Sequence, residues 1–343
     1  MTMAATRPPI VVTPGEPAGI GCEIAIKSWE QGSTSFCLID CPDHVRQTAD
    51  LLGFKTAIKV IDHPAAFDPH ERALQIIPVT WPAPPRHGAP DSTNARQVID
   101  AIAQAANWCL EGDAACMVTN PIQKSTLYAA GFTYPGHTEF LASFGPVAPG
   151  APLMMLACKE LRVVPATVHI PIKDVPAALT GDLIVEKTRL IHTSLQRGFR
   201  IDAPRIAICG LNPHAGESGT MGREDLEIIR PAIEKLKADG IDARGPYPAD
   251  TLFHAAARAS YDAVLGMYHD QVLIPLKTID FYGGVNITLG LNFIRTSPDH
   301  GTGLDIAGKG IANPDSFMAA IAMADDLARV KRNDTGMSEA ARP

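Results

Sequence analysis

Short apolar runs alternate with amphipathic stretches along most of this chain, the pattern of strands and helices taking turns. Runs at 9–13 (PIVVT), 36–40 (FCLID), 73–79 and 114–119 (AACMVT) predict buried strands. Apolar residues at helical spacing predict helices at 92–112, 174–179, 181–196, 222–239 and 316–330, the last with Asp315 as a candidate cap. The proline-rich 81–90 segment predicts a surface loop, and 331–343 a polar tail that frays. Strand and helix in alternation select α/β layers over an all-α or all-β fold.

Three further apolar runs share one design. The run at 161–168 stops at His169, that at 205–210 continues through Leu211-Asn212-Pro213 to His214, and that at 263–267 is closed by Tyr268-His269. One such histidine would more often be an ordinary loop residue. Parallel strands finish on one edge of their sheet, however, so three of them can present imidazoles to a common point. Imidazole is a frequent ligand of divalent transition metals, and three protein ligands leave coordination open for a substrate oxygen. No local pattern such as HExxH fixes the geometry.

Other polar residues gather near these runs. Lys277, Asn286, Arg295, Asp299 and His300 punctuate strand-like and glycine-rich segments, as at a ligand site fed by strand ends. His137 and Thr138 stand at the predicted start of a helix, where free amides favour anions or where a hydroxyl simply caps. The run at 9–13 leads into PGEPAGIG (14–21), which is strand, glycine turn and helix without the GxGxxG spacing of a dinucleotide turn. It reads as a phosphate or substrate loop, or as a plain tight turn.

With 343 residues, 46% of them hydrophobic, the chain has material for two cores. A net charge of -7 with both signs interspersed gives no basic stripe, which argues against nucleic acid as a partner. No apolar run nears the ~18 residues that span a bilayer, and MTMAATRPP lacks the apolar core of a secretory signal, so a cytoplasmic protein is expected. Seven scattered cysteines suit buried free thiols. Cys37 and Cys41 lack the companion pair that a four-ligand zinc site needs.

Several longer blocks are more specific: TPGEPAGIG (13–21), GHTEF (136–140), LRVVPATVHIP (161–171), GLNPHAGE (210–217), PADTLF (248–253), MYHDQ (267–271) and GVNITLGLNFIRTSPDHGT (284–302). On these the chain, from about 10 to 330, resembles the 4-hydroxythreonine-4-phosphate dehydrogenase family of pyridoxal phosphate biosynthesis. The segment HGTGLDIAGKGIANP (300–314) is similar to the cofactor loop of isocitrate and isopropylmalate dehydrogenases, which bind NAD(P) without GxGxxG.

The resemblance implies two-domain α/β/α subunits of that isocitrate/isopropylmalate dehydrogenase type. The first domain would be 1–130 plus 300–331, and the second, with the metal and substrate site and the dimer contacts, 131–299, followed by a tail at 332–343. It implies a homodimer whose active site, at the domain cleft, is completed by the neighbouring subunit, with no nucleic acid or membrane partner. One divalent metal ion (Zn, Co, Mg or Mn) would sit on His169, His214 and His269, one of them from the neighbouring chain. Substrate contacts fall on His137, Thr138, Lys277, Asn286 and Arg295, and cofactor contacts on Gly301, Asp305 and Gly308. Lys277 either only binds or also carries a proton, and Asp250 is the other catalytic candidate. Asp250 and Asp270 either orient the histidines or are solvated surface carboxylates.

The implied reaction oxidises the C3 hydroxyl of 4-phosphooxy-L-threonine with NAD(P), and the keto acid then loses carbon dioxide to give 3-amino-2-oxopropyl phosphate. A subgroup on the same scaffold oxidises threonate or erythronate 4-phosphate instead. A non-catalytic sensor on this scaffold is the contrasting reading, and the intact histidine trio and cofactor loop weigh against it.

Overall fold

A computed structural model describes residues 7–33 and 36–339. The chain divides into two compact units: one runs to Pro146 and resumes over Asn292–Ala328, the other comprises Val147–Leu291 with the chain from Arg329.

In the first unit the predicted strands are found with ends shifted by a residue or two: β1 (Ile10–Thr13), β2 (Phe36–Asp40), β4 (Leu74–Pro78) and β5 (Cys116–Thr119). They are joined by β3 (Ile58–Val60) and by β12 (Arg295–Pro298), which returns late in the chain. The order is β3-β4-β2-β1-β5-β12 and every pairing is parallel. Ile10, Val11 and Val12 are at most 2% exposed, which explains why this strand reads as a continuous apolar run instead of an alternating one. The helix expected at 92–112 is Ala95–Glu111, entered through a 3-10 turn in which Thr93 N donates to the Asp91 carboxylate, and stopped by Gly112 in the left-handed region.

The second unit holds β6 (Leu153–Cys158), β7 (Leu161–Thr167), β8 (Arg205–Cys209), β9 (Asp242–Tyr247), β10 (Ala263–Tyr268) and β11 (Val285–Leu289). Their order is β11-β6-β7-β10-β8-β9. β7, β10, β8 and β9 run parallel, while β6 pairs antiparallel with both β7 and β11. The helix expected at 222–239 changes pitch instead of running through. Asp225–Ile229 is a π turn and Arg230–Ala238 is α-helical, because Pro231 has no N–H to give to the carbonyl four residues back.

Helix His269–Ile279 lays Val272 and Leu276, both fully buried, into a core with Val163, Leu156 and Val264. Gly266 makes this possible, since a Cβ there would come within 2.2 Å of the Val272 side chain. Lys277 lies in the last turn of this helix, not on a strand as its surroundings suggest.

The unit boundaries fall at 146/147 and 291/292, where the sequence reading put them at 130 and 300. The difference has a cause in strand pairing. β12 adds to β5, which carries Arg295 into the first unit, and His137 and Thr138 belong there too. The final helix, Asp315–Glu339, runs past the expected end at 330. Residues 1–6, the start of the segment tested for a secretory signal, and 340–343, the end of the expected tail, lie outside the described residues. Among the described residues no helix is long and apolar enough to cross a membrane.

Candidate active site

In the second unit, β10 lies between β7 and β8, and all three point the same way. Tyr268 on β10 is in register with Thr167 on β7, so these two strands finish level, and His169 and His269 follow within two residues. Their ring centroids are 5.7 Å apart. Thr167 Oγ1 donates to Met267 O at 2.8 Å and ties the two ends together. Both histidines line a pocket of about 240 Å³ with Thr167, Val168, Ile170, Ile172, Val175, Tyr268 and Asp270. Asp270 Oδ1 is 2.7 Å from His269 Nδ1, which leaves Nε2 as the nitrogen for a ligand.

His214 sits five residues beyond β8 in a turn of unusual backbone. His214, Ala215, Gly216, Glu217 and Ser218 all have positive φ, and His169 does as well. Non-glycine residues held in this region store strain, which surrounding structure must offset. The Asp225 carboxylate supplies part of that support: buried to 1% exposure, it accepts from the Leu211 and Asn212 amides and from Asn212 Nδ2. Sequence reading missed Asp225 and gave Gln271 no role, although Gln271 bonds to the ends of both β10 and β8. Only long-range geometry could have exposed either one.

Within this chain the three histidines do not converge as a trio. Among the described residues, the group of three potential ligands whose donor atoms all lie within 4.8 Å of one another is Cys22, Asp40 and His44. Two of them bond to each other, Asp40 through Oδ1 and His44 through Nδ1. Asp40 Oδ1 takes hydrogen bonds from Cys41 N, His44 Nδ1 and Trp81 Nε1, so the group is a buried hub that joins β2 to the loop after β4. Burial opposes protonation of His44, but the adjacent Asp40 carboxylate outweighs it and raises the pKa. Burial, followed by the nearby Asp40 charge, pushes the Cys22 thiol well up.

Of the remaining substrate candidates in this unit, Asn286 lies on β11 with its Oδ1 enclosed and without a hydrogen-bond partner among the described residues. Lys277 Nζ stands 5.4 Å from the centre of the Phe281 ring. Asp250 is exposed in a 3-10 turn and, among the described residues, makes no hydrogen bond to any of the three rings. Asp270 alone of the two carboxylates pairs with a candidate ligand.

The first unit gathers His137, Thr138 and Arg295. Arg295 starts β12, is 4% exposed, and donates from Nε and a terminal nitrogen to Thr119 Oγ1 at the end of β5. Burial lowers its pKa to about 10, so it keeps its charge at neutral pH. His137 opens a six-residue helix, and burial, then the positive charges of Arg295 and Lys124, hold its pKa well below 6.5. Its Nε2 is enclosed and unpartnered. Thr138 is not the cap of this helix, a position that Gly136 occupies without a side-chain bond.

The PGEPAGIG turn is a tight turn and not an open phosphate cradle. It is buried throughout, and its amides are used internally: Glu16 N bonds to Pro121 O, Ala18 N to Glu16 Oε1 and Ile20 N to Thr302 O. The predicted cofactor loop covers it. In that loop Gly301 and Asp305 are exposed, whereas Gly308, at φ +74°, has the His87 ring 2.8 Å from where a Cβ would stand. Lys27 Nζ secures the end of the loop through Gly310 O and Ala312 O.

These features belong to a known class of α/β enzyme. The solved 4-hydroxythreonine-4-phosphate dehydrogenase of Klebsiella pneumoniae is similar over 95% of this chain and 99% of its own, with a TM-score of 0.87 and 37% identity. Among curated proteins, the 4-hydroxythreonine-4-phosphate dehydrogenase of Methylorubrum populi is 47% identical over 341 residues, covering 97% of this chain and 98% of its own. That of Roseobacter denitrificans is 49% identical over 330 residues, covering 95% and 99%. The family described as pyridoxal phosphate biosynthetic protein PdxA matches residues 33–324, and the chain belongs to that family.

Proposed function

We propose that this protein is a 4-hydroxythreonine-4-phosphate dehydrogenase, which oxidises the C3 hydroxyl of 4-phosphooxy-L-threonine with a nicotinamide cofactor and releases 3-amino-2-oxopropyl phosphate after decarboxylation. The observation that carries this reading is the pair His169 and His269 at level strand ends, 5.7 Å apart, with a carboxylate on the second ring. The donor set suits a divalent cation: two imidazoles open to one pocket, one of them oriented through Nδ1. His214 completes the set, with one of the three histidines supplied by a second copy of the chain. A divalent ion held by these histidines would supply Lewis-acid polarisation of the substrate hydroxyl, and a bound nicotinamide would supply the hydride acceptor.

The chain's own groups do the rest. Lys277 Nζ receives the hydroxyl proton and returns it to the amine-bearing carbon once carbon dioxide has left. Arg295, His137 and Thr138 hold the phosphate dianion, the guanidinium through charge and the others through neutral donors. The exposed carboxylate of Asp305 takes the ribose hydroxyls of the cofactor, while Gly301 and Gly308 let backbone approach it. Asp250 reaches the histidines only in the dimer.

Exposed apolar residues support that dimer. Ile172 (71%), Ile274 (63%), Phe281 (63%) and Tyr282 (57%) all belong to the unit that carries the histidines, where Ile172 also lines their pocket. The acid phosphates of threonate and erythronate are not favoured as substrates, because the relatives carry the amino acid's name. The deciding experiment follows NADH absorbance with 4-phosphooxy-L-threonine and with threonate 4-phosphate, each with added divalent metal. Faster turnover of the second would reject the amino acid assignment.

A further inference from the structure

We infer that Lys124 is a further phosphate-binding residue, placed with Arg295 and His137 in one anion pocket of the first unit. The inference deepens the substrate reading above and rests on it. Lys124 begins the short helix Lys124–Ala129, after which the chain folds back through an aromatic cluster. Phe132, Tyr134 and Phe140 pack with ring centroids 5.2 to 5.5 Å apart, and Tyr128 OH donates to Pro135 O. This brace carries Gly136 back over Lys124, so that a methyl group on Gly136 would lie 3.7 Å from Lys124 Nζ. His137 is the next residue.

Three features then coincide. The Lys124 ammonium has no carboxylate within ion-pair distance among the described residues, and Glu139, whose Oε2 also approaches Gly136, does not pair with it. The His137 Nε2 beside it is enclosed and unpartnered, and Arg295 is a buried cation whose charge acts on the same ring. Both cations act on the same imidazole and oppose its protonation. Two positive groups near one polar ring favour an anion beside them, and a phosphate dianion offers enough acceptors for all of them. Lys124 is exposed, so it can close on the ligand from the solvent side after Arg295 has engaged it from within.

The test compares the full-length wild type with Lys124→Met and Lys124→Arg by calorimetric titration with inorganic phosphate. Phosphate affinity should fall by about tenfold or more in the methionine variant and return in large part with arginine, which keeps a charged donor. KM for 4-phosphooxy-L-threonine should rise by a similar factor while kcat changes little, and the His137 ring should titrate at higher pH when followed by NMR. Unchanged phosphate affinity with unchanged His137 titration overturns the inference. If the wild type fails to oxidise 4-phosphooxy-L-threonine while Lys124→Met still loses phosphate, the substrate assignment falls and the anion pocket stands.

Discussion

Gln271 reaches from the start of its helix to Gly210 at the end of β8, where its Nε2 donates to the backbone oxygen at 2.7 Å. Its Oε1 at the same time accepts from Met267 N at 2.6 Å. One side chain therefore bonds to the ends of two strands that lead to candidate metal ligands. Gln271→Met keeps the length and removes both bonds, which leaves Met267 N and Gly210 O without this partner at a cost on the order of 1–3 kcal/mol. Thermal unfolding should shift down by several degrees, and metal affinity should fall with it. A variant equal to wild type in both measurements would mean that the bridge does not hold the histidines in place.

The carboxylate on His269 leads to a separate expectation. Asp270→Ala removes the group that holds Nδ1, and partners of this kind are typically worth 10–100-fold in metal affinity. Competition with a chelating indicator measures that loss directly. Asp250→Ala, at a position exposed in the single chain, should have its effect only in the assembled dimer.

Arg295 donates twice to Thr119 Oγ1, which fixes the plane of the guanidinium. Lysine cannot reproduce that fork. Arg295→Lys should raise KM for the phosphorylated substrate by at least about tenfold, a loss of roughly 1.4 kcal/mol in binding, with a smaller change in kcat. Steady-state kinetics at saturating cofactor separates the two constants.

Stability should depend on pH through the Asp40–His44 pair. The folded state raises the His44 pKa above its ordinary 6.5, so this pair stabilises fully below that value. Its contribution is lost as pH rises through the higher folded value. His137 has the opposite sign: its lowered pKa removes stability as pH falls below 6.5. Comparing urea midpoints of wild type and Asp40→Asn at about pH 6 and about pH 8 cancels the His137 effect, and the difference between the two proteins should shrink at the higher pH. A difference that is constant with pH would exclude the charged pair.

Strand identity and the positions of His169 and His269 were legible because strands buried on both faces leave continuous apolar runs, and polar residues that follow such runs stand out. Parallel direction and level ends then follow from the register of β7 with β10. Lys277 was misplaced, since IPLKTI reads as extended when Gly266 and the Val272 contact that seats its helix are not visible. The supports of the site were illegible for another reason. Asp225 and Gln271 act through bonds to backbone amides and carbonyls, which carry no sequence signature. The unit boundaries were displaced because the return of β12 to β5 is a pairing between distant segments, which local patterns do not encode.

That pairing imposes an order on biosynthesis. The ribosome makes the first five strands early, but the strand that covers β5 and brings Arg295 emerges only after the whole of β6 to β11 has been built. The second unit can therefore acquire its own sheet during translation, while the first lacks its sixth strand and Arg295 until the chain is nearly finished. A truncated product ending before Arg295 would keep all three histidines and lack the guanidinium proposed to anchor the phosphate.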